Sequence, residues 1–186
     1  MSEQESWHQH IRSQNRDELI QAGQELFLQR NFPDIRVNDI CKLAGISRVT
    51  FYKHFSDLNE LVIEVQMRIL THMTDWLLAA DRPQQSGLER LKGILHAWVD
   101  YAREHGEQLR FFALFDLYYG GMQISDELRQ RYEQFVQVGK KSGFLLHPLQ
   151  AGLQDGSISP QHDPNEAGTL IFQTFMGVLQ RLTLSN

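Results

Sequence analysis

Apolar side chains recur every three or four residues along almost the whole chain, and this pattern restricts the fold more than any other feature. The clearest case follows residue 57, where Leu61, Val65, Ile69, Met73 and Leu77 are each four positions apart. In a helix of 3.6 residues per turn such positions lie on one face. The alternation with period two that is typical of strands nowhere extends beyond a few residues. The sequence therefore predicts an all-α fold with about eight or nine helices.

Glycines, prolines and capping residues divide this pattern into segments. Gly45 separates two short amphipathic segments, and Asp57 with Glu60 three positions later resembles a capping box that opens a long helix. Polar loops at 82–87 and 155–164 end later segments. We expect helices at about 13–29, 37–44, 48–55, from 57, 88–102, 109–119, 125–152 and 165–184, with Gly143 and His147-Pro148 marking a weak point in the seventh. They form an N-terminal domain over residues 1–56 and a C-terminal bundle over residues 57–186.

Positive charge is concentrated in one short segment. The chain has a net charge of −5, yet residues 36–54 carry Arg36, Lys42, Arg48 and Lys53 against Asp39 alone. A localised basic surface can hold a phosphate backbone even when the protein as a whole is acidic.

Several classes of function are disfavoured by what the sequence lacks. It has no run of about 18 apolar residues, its N-terminus is polar, and its single cysteine, Cys41, allows no intrachain disulfide. We therefore expect a cytoplasmic protein without a membrane partner, and a buried Cys41. The histidines have no metal-ligand spacing, and there is no phosphate-binding glycine loop or catalytic carboxylate pair, so we expect no metal, no cofactor and no enzyme activity.

Residues 37–55 have the pattern helix, glycine-containing turn, helix, which is typical of the helix-turn-helix motif. Phe51 and Phe55 are four apart and can pack against the preceding helix, while Lys53 lies on the opposite side. Arg48 at the start of the second helix has the reach and geometry to contact guanine. Polar or small neighbours suit phosphates and thymine methyl groups. The second helix is thus predicted to enter the major groove of DNA.

The same residues resemble those of the TetR family of transcriptional regulators. The similarity lies in F-x-x-I-x-V-x-D-I-C-x-x-A-G-I-S-R-V-T-F-Y-K-H-F, with R-x-x-L-I-x-A ahead of it, and spans Arg16 to about Leu61. The resemblance implies a homodimer that binds a near-palindromic double-stranded operator and, usually, represses until a small-molecule effector binds the helical bundle. It places the DNA contacts on Arg16, Arg36, Val37, Ser47, Arg48, Val49, Thr50, Tyr52, Lys53 and His54.

Four positions depart from the family pattern. Arg36 replaces a frequent threonine, Asn31 a common glycine, and Gly23 a common alanine, the last at a helix-propensity cost of about 1 kcal/mol. Leu58 replaces a lysine that would hold a phosphate. Leu58 and the acidic chain favour an alternative, in which a TetR-like protein has lost operator binding and acts on a protein partner. A helical enzyme is a third, weaker alternative.

Aromatic side chains are concentrated in the segment 109–122 of the bundle. Aromatic residues often line pockets for small molecules, although a stripe at helical spacing is more often plain core. By analogy with the family we assign the effector site to Trp98, Tyr101, Phe111, Phe112, Phe115, Tyr118, Tyr119, Met122, Phe172 and Met176.

The last helix is apolar on more than one face. One face can pack into the bundle, and the other can meet a second copy around a twofold axis, together with the helix near 125–152. A helix buried centrally within one chain is the alternative. The residues assigned to a dimer interface are Gly168, Ile171, Phe175, Val178, Leu179 and Leu182.

Overall fold

The computed structural model describes residues 3–141, 143–159 and 163–184, with side chains over 10–137, 143–159 and 163–183. Within these ranges the fold is all-α without strands, as predicted. Nine α-helices and one short 3₁₀ helix (Phe32–Asp34) are present: α1 Glu3–Gln29, α2 Val37–Ala44, α3 Arg48–Phe51, α4 Leu58–Ala79, α5 Gly87–Glu104, α6 Gly106–Tyr119, α7 Asp126–Lys141, α8 Leu146–Asp155 and α9 Pro164–Leu184.

Three of the expected helices have different bounds. α1 begins at Glu3 rather than near residue 13, and α3 ends at Phe51 rather than at residue 55. The residues after α3 continue in tighter turns, in which the Lys53 and His54 N–H groups donate to carbonyls three residues back. The single helix expected over 125–152 is wrong, because the chain breaks near Gly143, which has a φ of +79° that favours glycine. The loop expected at 155–164 includes residues 160–162, which lie outside the described residues.

Helices α1 to α3 and the start of α4 pack around shared buried side chains, which are part of a single hydrophobic core that continues into the bundle. Leu19, Ile40, Phe51, Phe55 and Leu61 are all buried in it. Where the family often has alanine, Gly23 lets α1 and α4 approach closely, because an added Cβ would lie 3.0 Å from the Leu61 Cδ2 atom. The boundary predicted after residue 56 therefore precedes a helix whose first turns pack with the N-terminal domain.

Close helix crossings and the ion pair of Arg90 with Asp81 position helices of the C-terminal bundle. α5 crosses α8 so closely that a Cβ on Gly87 would lie 2.0 Å from the Gly152 nitrogen. Two hydrogen bonds of 2.8 and 2.7 Å from Arg90 to Asp81 fix the start of α5 against the end of α4. No helix in the described parts of the chain is long and apolar enough to cross a bilayer.

Candidate nucleic-acid interface

The turn between α2 and α3 has the geometry that a helix-turn-helix requires. Gly45 adopts a left-handed conformation with a φ of +68°, and the Ile46 N–H donates to the Cys41 carbonyl at 3.0 Å. No atom lies within 4 Å of where a Cβ on Gly45 would be, so the backbone conformation and not crowding favours glycine here. Ser47 caps α3, since its Oγ accepts the Thr50 N–H at 3.1 Å.

The segment 48–55 is divided between a buried face and an exposed face. Phe51 and Phe55 are 0% and 1% exposed, and their rings lie 5.5 Å apart. Arg48, Val49 and Lys53 are exposed, Val49 by 70%. Burial of the phenylalanines holds the segment to the domain, because each buried aromatic side chain contributes about 2–3 kcal/mol. The exposed face is left available to a partner.

The N-terminus of α2 adds a second exposed group on this domain. The Asp39 carboxylate accepts the Arg36 backbone N–H at 2.9 Å, which is the half of a capping box that the third helical residue supplies. The Arg36 guanidinium has no acceptor for a first-turn N–H, so the side-chain cap that the usual threonine would provide is missing. Arg36 is exposed, while Val37 is half-buried. Of the residues assigned to DNA, Ser47 and Tyr52 are exposed, whereas Thr50 and His54 are half-buried.

Positive charge converges on His54 from more than one helix. Partial burial lowers the pKa of the His54 imidazole, and the nearby charges of Arg12, Arg16 and Lys53 lower it further. Arg12 is exposed on α1, one turn before Arg16. Sequence reasoning missed Arg12, because it lies ahead of the matched motif; its spacing of four from Arg16 was the available signal.

Arg16, although assigned to DNA, contacts two side chains from other parts of the protein. Its guanidinium lies 5.4 Å from the centre of the Phe55 ring and pairs with the Glu64 carboxylate of α4 at 2.7 Å. The assignment of Arg16 to DNA remains a prediction, and the structure gives this side chain two intramolecular contacts.

Leu58 opens α4 at the position where a lysine would be usual, and it is half-buried against the core. Asp57 caps this helix as expected, since its Oδ1 accepts the Glu60 N–H at 2.9 Å. The second hydrogen bond of the expected capping box, from the Asp57 N–H to the Glu60 carboxylate, was predicted wrongly. The Glu60 carboxylate reaches Ser56, accepting the Ser56 N–H at 2.8 Å and its hydroxyl at 3.0 Å, because Ser56 offers two donors.

The aromatic residues assigned to an effector site lie in several separate clusters. Phe111 stacks on Phe27 of α1 with ring centres 6.0 Å apart, and Tyr118 packs edge-on against Phe32 at 5.6 Å. These two residues of α6 thus join the bundle to the N-terminal domain.

The other assigned residues lie inside the bundle or along α6. Trp98 contacts Phe172, and Phe115 stacks on Tyr119. The Tyr101 hydroxyl donates to Gln108 and lies 3.3 Å from the His72 Nδ1. The remaining members, Phe112, Met122 and Met176, are buried.

A groove of about 550 Å³ lies elsewhere, between α1, α4 and α7. None of the ten residues assigned to an effector lines it. Its lining consists of Asp17, Ile20, Gln21, Glu64, Met67, Arg68, Thr71 and Phe135.

The residues assigned to a dimer interface lie on different sides of α9. Val178 and Leu182 are 53% and 59% exposed, while Leu179 is buried in the core. Ile171 and Phe175 are half-buried, and Gly168 lies near Leu145 and Leu149 of the α8 region. The α9 surface also exposes Leu170, which we had not assigned to the interface.

Cys41 is buried, as expected. Burial raises the pKa of its thiol, an effect only partly opposed by the charge of Arg48. A raised pKa leaves little thiolate near neutral pH, so the side chain behaves as a small apolar group.

Comparison with known proteins agrees with this geometry. Residues 19–65 match the family model described as bacterial regulatory proteins, tetR family. The chain is 29% identical over 97 residues to the HTH-type transcriptional activator FasR of Mycolicibacterium smegmatis, a match that covers 52% of this chain but only 44% of FasR. It is 28% identical over 164 residues to the HTH-type transcriptional repressor KstR2 of the same organism, covering 80% and 69% of the two chains.

Solved structures share the fold well beyond the N-terminal domain. The transcriptional regulator FadR from Bacillus subtilis, solved in complex with stearoyl-CoA, superposes with a TM-score of 0.69 at 20% identity. That superposition covers 90% of this chain and 87% of FadR. The chain therefore shares its fold with FadR through the C-terminal bundle as well as the N-terminal helices.

Proposed function

We propose that this chain is a homodimeric transcriptional regulator that binds double-stranded DNA in the cytoplasm. Support comes from residues 19–65, which match the model of the tetR family of bacterial regulatory proteins. The observation that carries the proposal is the division of segment 48–55. Two buried phenylalanines brace it, while Arg48, Val49 and Lys53 are exposed on the other side. A short braced segment with a basic exposed face is what entry into a major groove requires.

Each exposed group has a role that follows from its chemistry. Arg48 reads a guanine through two parallel hydrogen bonds, and Val49 lies close enough to contact a thymine methyl group. Ser47, Tyr52, Lys53 and His54 hold phosphates, as does Arg36 at the start of α2. Such contacts fix the register of the protein on DNA without reading sequence. Thr50 and Val37 contribute small side chains that allow close approach.

Dimerisation through α9 would supply the second recognition segment. Leu170, Val178 and Leu182 leave apolar surface exposed along this helix, and a twofold axis lets one patch cover its copy. Two α3 segments would then contact half-sites about 34–36 Å apart on a near-palindromic operator.

Val178→Glu with Leu182→Glu should convert a dimer to monomer in sedimentation velocity, while Leu117→Glu on α6 serves as an exposed control. An unchanged dimer in the double variant would exclude this face.

We further propose repression relieved by a small molecule that binds the bundle. Support comes from Trp98, whose buried indole N–H has no hydrogen-bond acceptor within the described part of the chain. Buried donors are normally paired, so this N–H is available to an acceptor on a bound molecule. An effector can release DNA only by binding the two states with different affinity, and a thousandfold loss of operator affinity needs about 4 kcal/mol of coupling. The ligand of FadR, stearoyl-CoA, is a reasonable first probe, with free CoA as the control.

Selection from random double-stranded DNA tests the central proposal. The full chain should enrich a near-palindromic site, and the double variant Arg48→Ala with Lys53→Ala should enrich none. If the unaltered chain enriches no site at any salt concentration, operator binding is refuted. Adding the probe to the selected complex then tests effector release separately.

That negative result would favour a second candidate, a co-regulator that docks on another protein. The half-buried Leu58, in place of a phosphate-binding lysine, and the exposed Val49 favour such a surface.

A further inference from the structure

Glu64 lies at the centre of an ion cluster that joins three helices. Its side chain is only 11% exposed. One carboxylate oxygen pairs with Arg16 of α1 at 2.7 Å, and the other pairs with Arg131 of α7. We call Arg16, Glu64 and Arg131 the Glu64 cluster.

The shielding of Glu64 makes both partners necessary. Removing a carboxylate from water is costly, and the cost is recovered only when opposite charges and hydrogen bonds surround it. Arg16 and Arg131 are themselves 35% and 48% exposed, so each arginine brings charge in from the surface to the shielded carboxylate. Loss of either one leaves that carboxylate incompletely compensated.

The cluster extends to the segment proposed to bind DNA. The Arg16 guanidinium lies over the ring of Phe55, which also packs against Phe51 of α3. A continuous series of contacts therefore runs from α3 through Phe55 and Arg16 to Glu64 on α4. From Glu64 it continues to Arg131 on α7, a helix of the bundle.

We propose that Glu64 is a positioning residue for DNA binding, which holds Arg16 under the recognition segment and ties both to α7. This inference rests on the proposed function and assigns the Arg16 guanidinium to an ion pair within the protein instead of to a phosphate. Its distinctive consequence concerns Arg131, which lies on the bundle and is not among the residues expected to meet DNA. Replacing Arg131 should nevertheless weaken operator binding.

The two roles for these arginines differ in their salt dependence. A residue that contacts a phosphate contributes about 0.9 to the slope of log affinity against log salt. A residue that positions the domain changes affinity at every salt concentration by the same factor. For coupled networks of this size that factor is roughly three- to thirtyfold.

The test compares Arg131→Met with Arg103→Met. Both replacements remove one positive charge and one ion pair, but the Arg103 pair with Asp100 is an exposed contact on α5. Operator affinity is measured at several salt concentrations, and hydrogen exchange of residues 48–55 is followed in the free protein. We expect Arg131→Met to lose three- to thirtyfold in affinity with an unchanged salt slope and to exchange faster at 48–55, and Arg103→Met to do neither.

Two results would overturn the inference. The first is that Arg131→Met binds the operator as tightly as Arg103→Met does. The second is that the salt slope of Arg131→Met falls by about one, which would indicate a direct phosphate contact. Glu64→Gln provides a second measurement, since it should weaken binding if Glu64 positions Arg16 and strengthen binding if it merely withholds Arg16 from DNA. If the unaltered chain binds the operator and Lys53→Ala weakens it, failure of these predictions concerns the Glu64 cluster alone.

Discussion

Replacing Lys53 by alanine tests the proposed interface most directly. The side chain is exposed on the turn after α3, so its removal should change the free energy of unfolding by no more than about 0.5 kcal/mol. Its loss should remove one phosphate contact and lower the salt slope by about 0.9. When the salt concentration rises fourfold, from about 50 to about 200 mM, the affinity of the unaltered protein divided by that of the variant should therefore fall by about 3.5-fold.

Fluorescence anisotropy on a selected operator measures this ratio at five salt concentrations. Lys92→Ala is the control, because that lysine is exposed as Lys53 is but lies on α5, far along the chain from α3, where it pairs with Glu89. Parallel lines for Lys53→Ala and the unaltered chain would refute the phosphate contact. Equal slopes for the two lysine variants would show that overall charge, and not position, determines affinity.

Arg48→Ala should behave differently from Lys53→Ala. A bidentate contact to guanine contributes about 1–3 kcal/mol of discrimination, so preference at one base pair should fall by roughly five- to 150-fold. Competition between the selected operator and single-base variants measures this preference. Uniform weakening across all variants would assign Arg48 to phosphate.

Three further predictions concern pH and packing. Burial and neighbouring cations hold the pKa of His54 in the free protein below its usual 6.5, whereas a phosphate would raise it. DNA binding should therefore take up a proton, with affinity rising as pH falls from the raised pKa of the complex to the lowered pKa of the free protein. His54→Gln should lose this dependence. An unchanged pH profile in that variant would remove His54 from the interface. Hydrogen bonds from Arg90 lower the pKa of Asp81 below 3.8, so the stability that they contribute is complete above pH 3.8 and is lost as pH falls through the folded-state pKa. In urea unfolding, Asp81→Asn should therefore lower the free energy of unfolding by about 2 kcal/mol at pH 7 and by little in strong acid. An equal loss at both pH values would contradict this. Gly87→Ala places a Cβ 2.0 Å from a backbone nitrogen of α8 and should lower the free energy of unfolding by about 3 kcal/mol, measured by thermal unfolding. Gly93→Ala, with no neighbour closer than 3.8 Å, should leave this free energy unchanged or raise it. Equal losses of stability in the two variants would refute the close crossing.

Much of the fold followed from local signals in the sequence. Gly45 and Ser47 were sufficient to place the turn and the start of α3, because a left-handed glycine and a serine cap act within a few residues. The end of α3 could not be predicted, since buried phenylalanines at positions 51 and 55 are compatible both with a helix to residue 55 and with the tighter turns observed after Phe51. The break at Gly143 was visible only as a weak point, because a single glycine can also be tolerated inside a helix.

The sequence predicts which side chains are buried better than it predicts which residues they contact. Spacing alone places Phe111 and Tyr118 on an apolar face of α6, but it does not reveal that this face meets Phe27 and Phe32 of the N-terminal domain. Arg16 was assigned by family resemblance to DNA. Its contact with Glu64 spans 48 positions of sequence, and a pair so far apart leaves no local signal.

The contacts of Arg16 with Glu64 and of Phe27 with Phe111 attach α1 to the bundle at two separate points. Arg16 and Phe27 are eleven positions apart on α1, which places them on the same side of that helix and about 16 Å apart along its axis. Arg16 is tied to α4 and α7 through Glu64, and Phe27 is stacked on Phe111 of α6. Attachment at two separated points restrains α1 from tilting or rotating independently of the bundle. A ligand that displaced α6 or α7 would consequently move α1, and with it the recognition segment that packs beside Arg16.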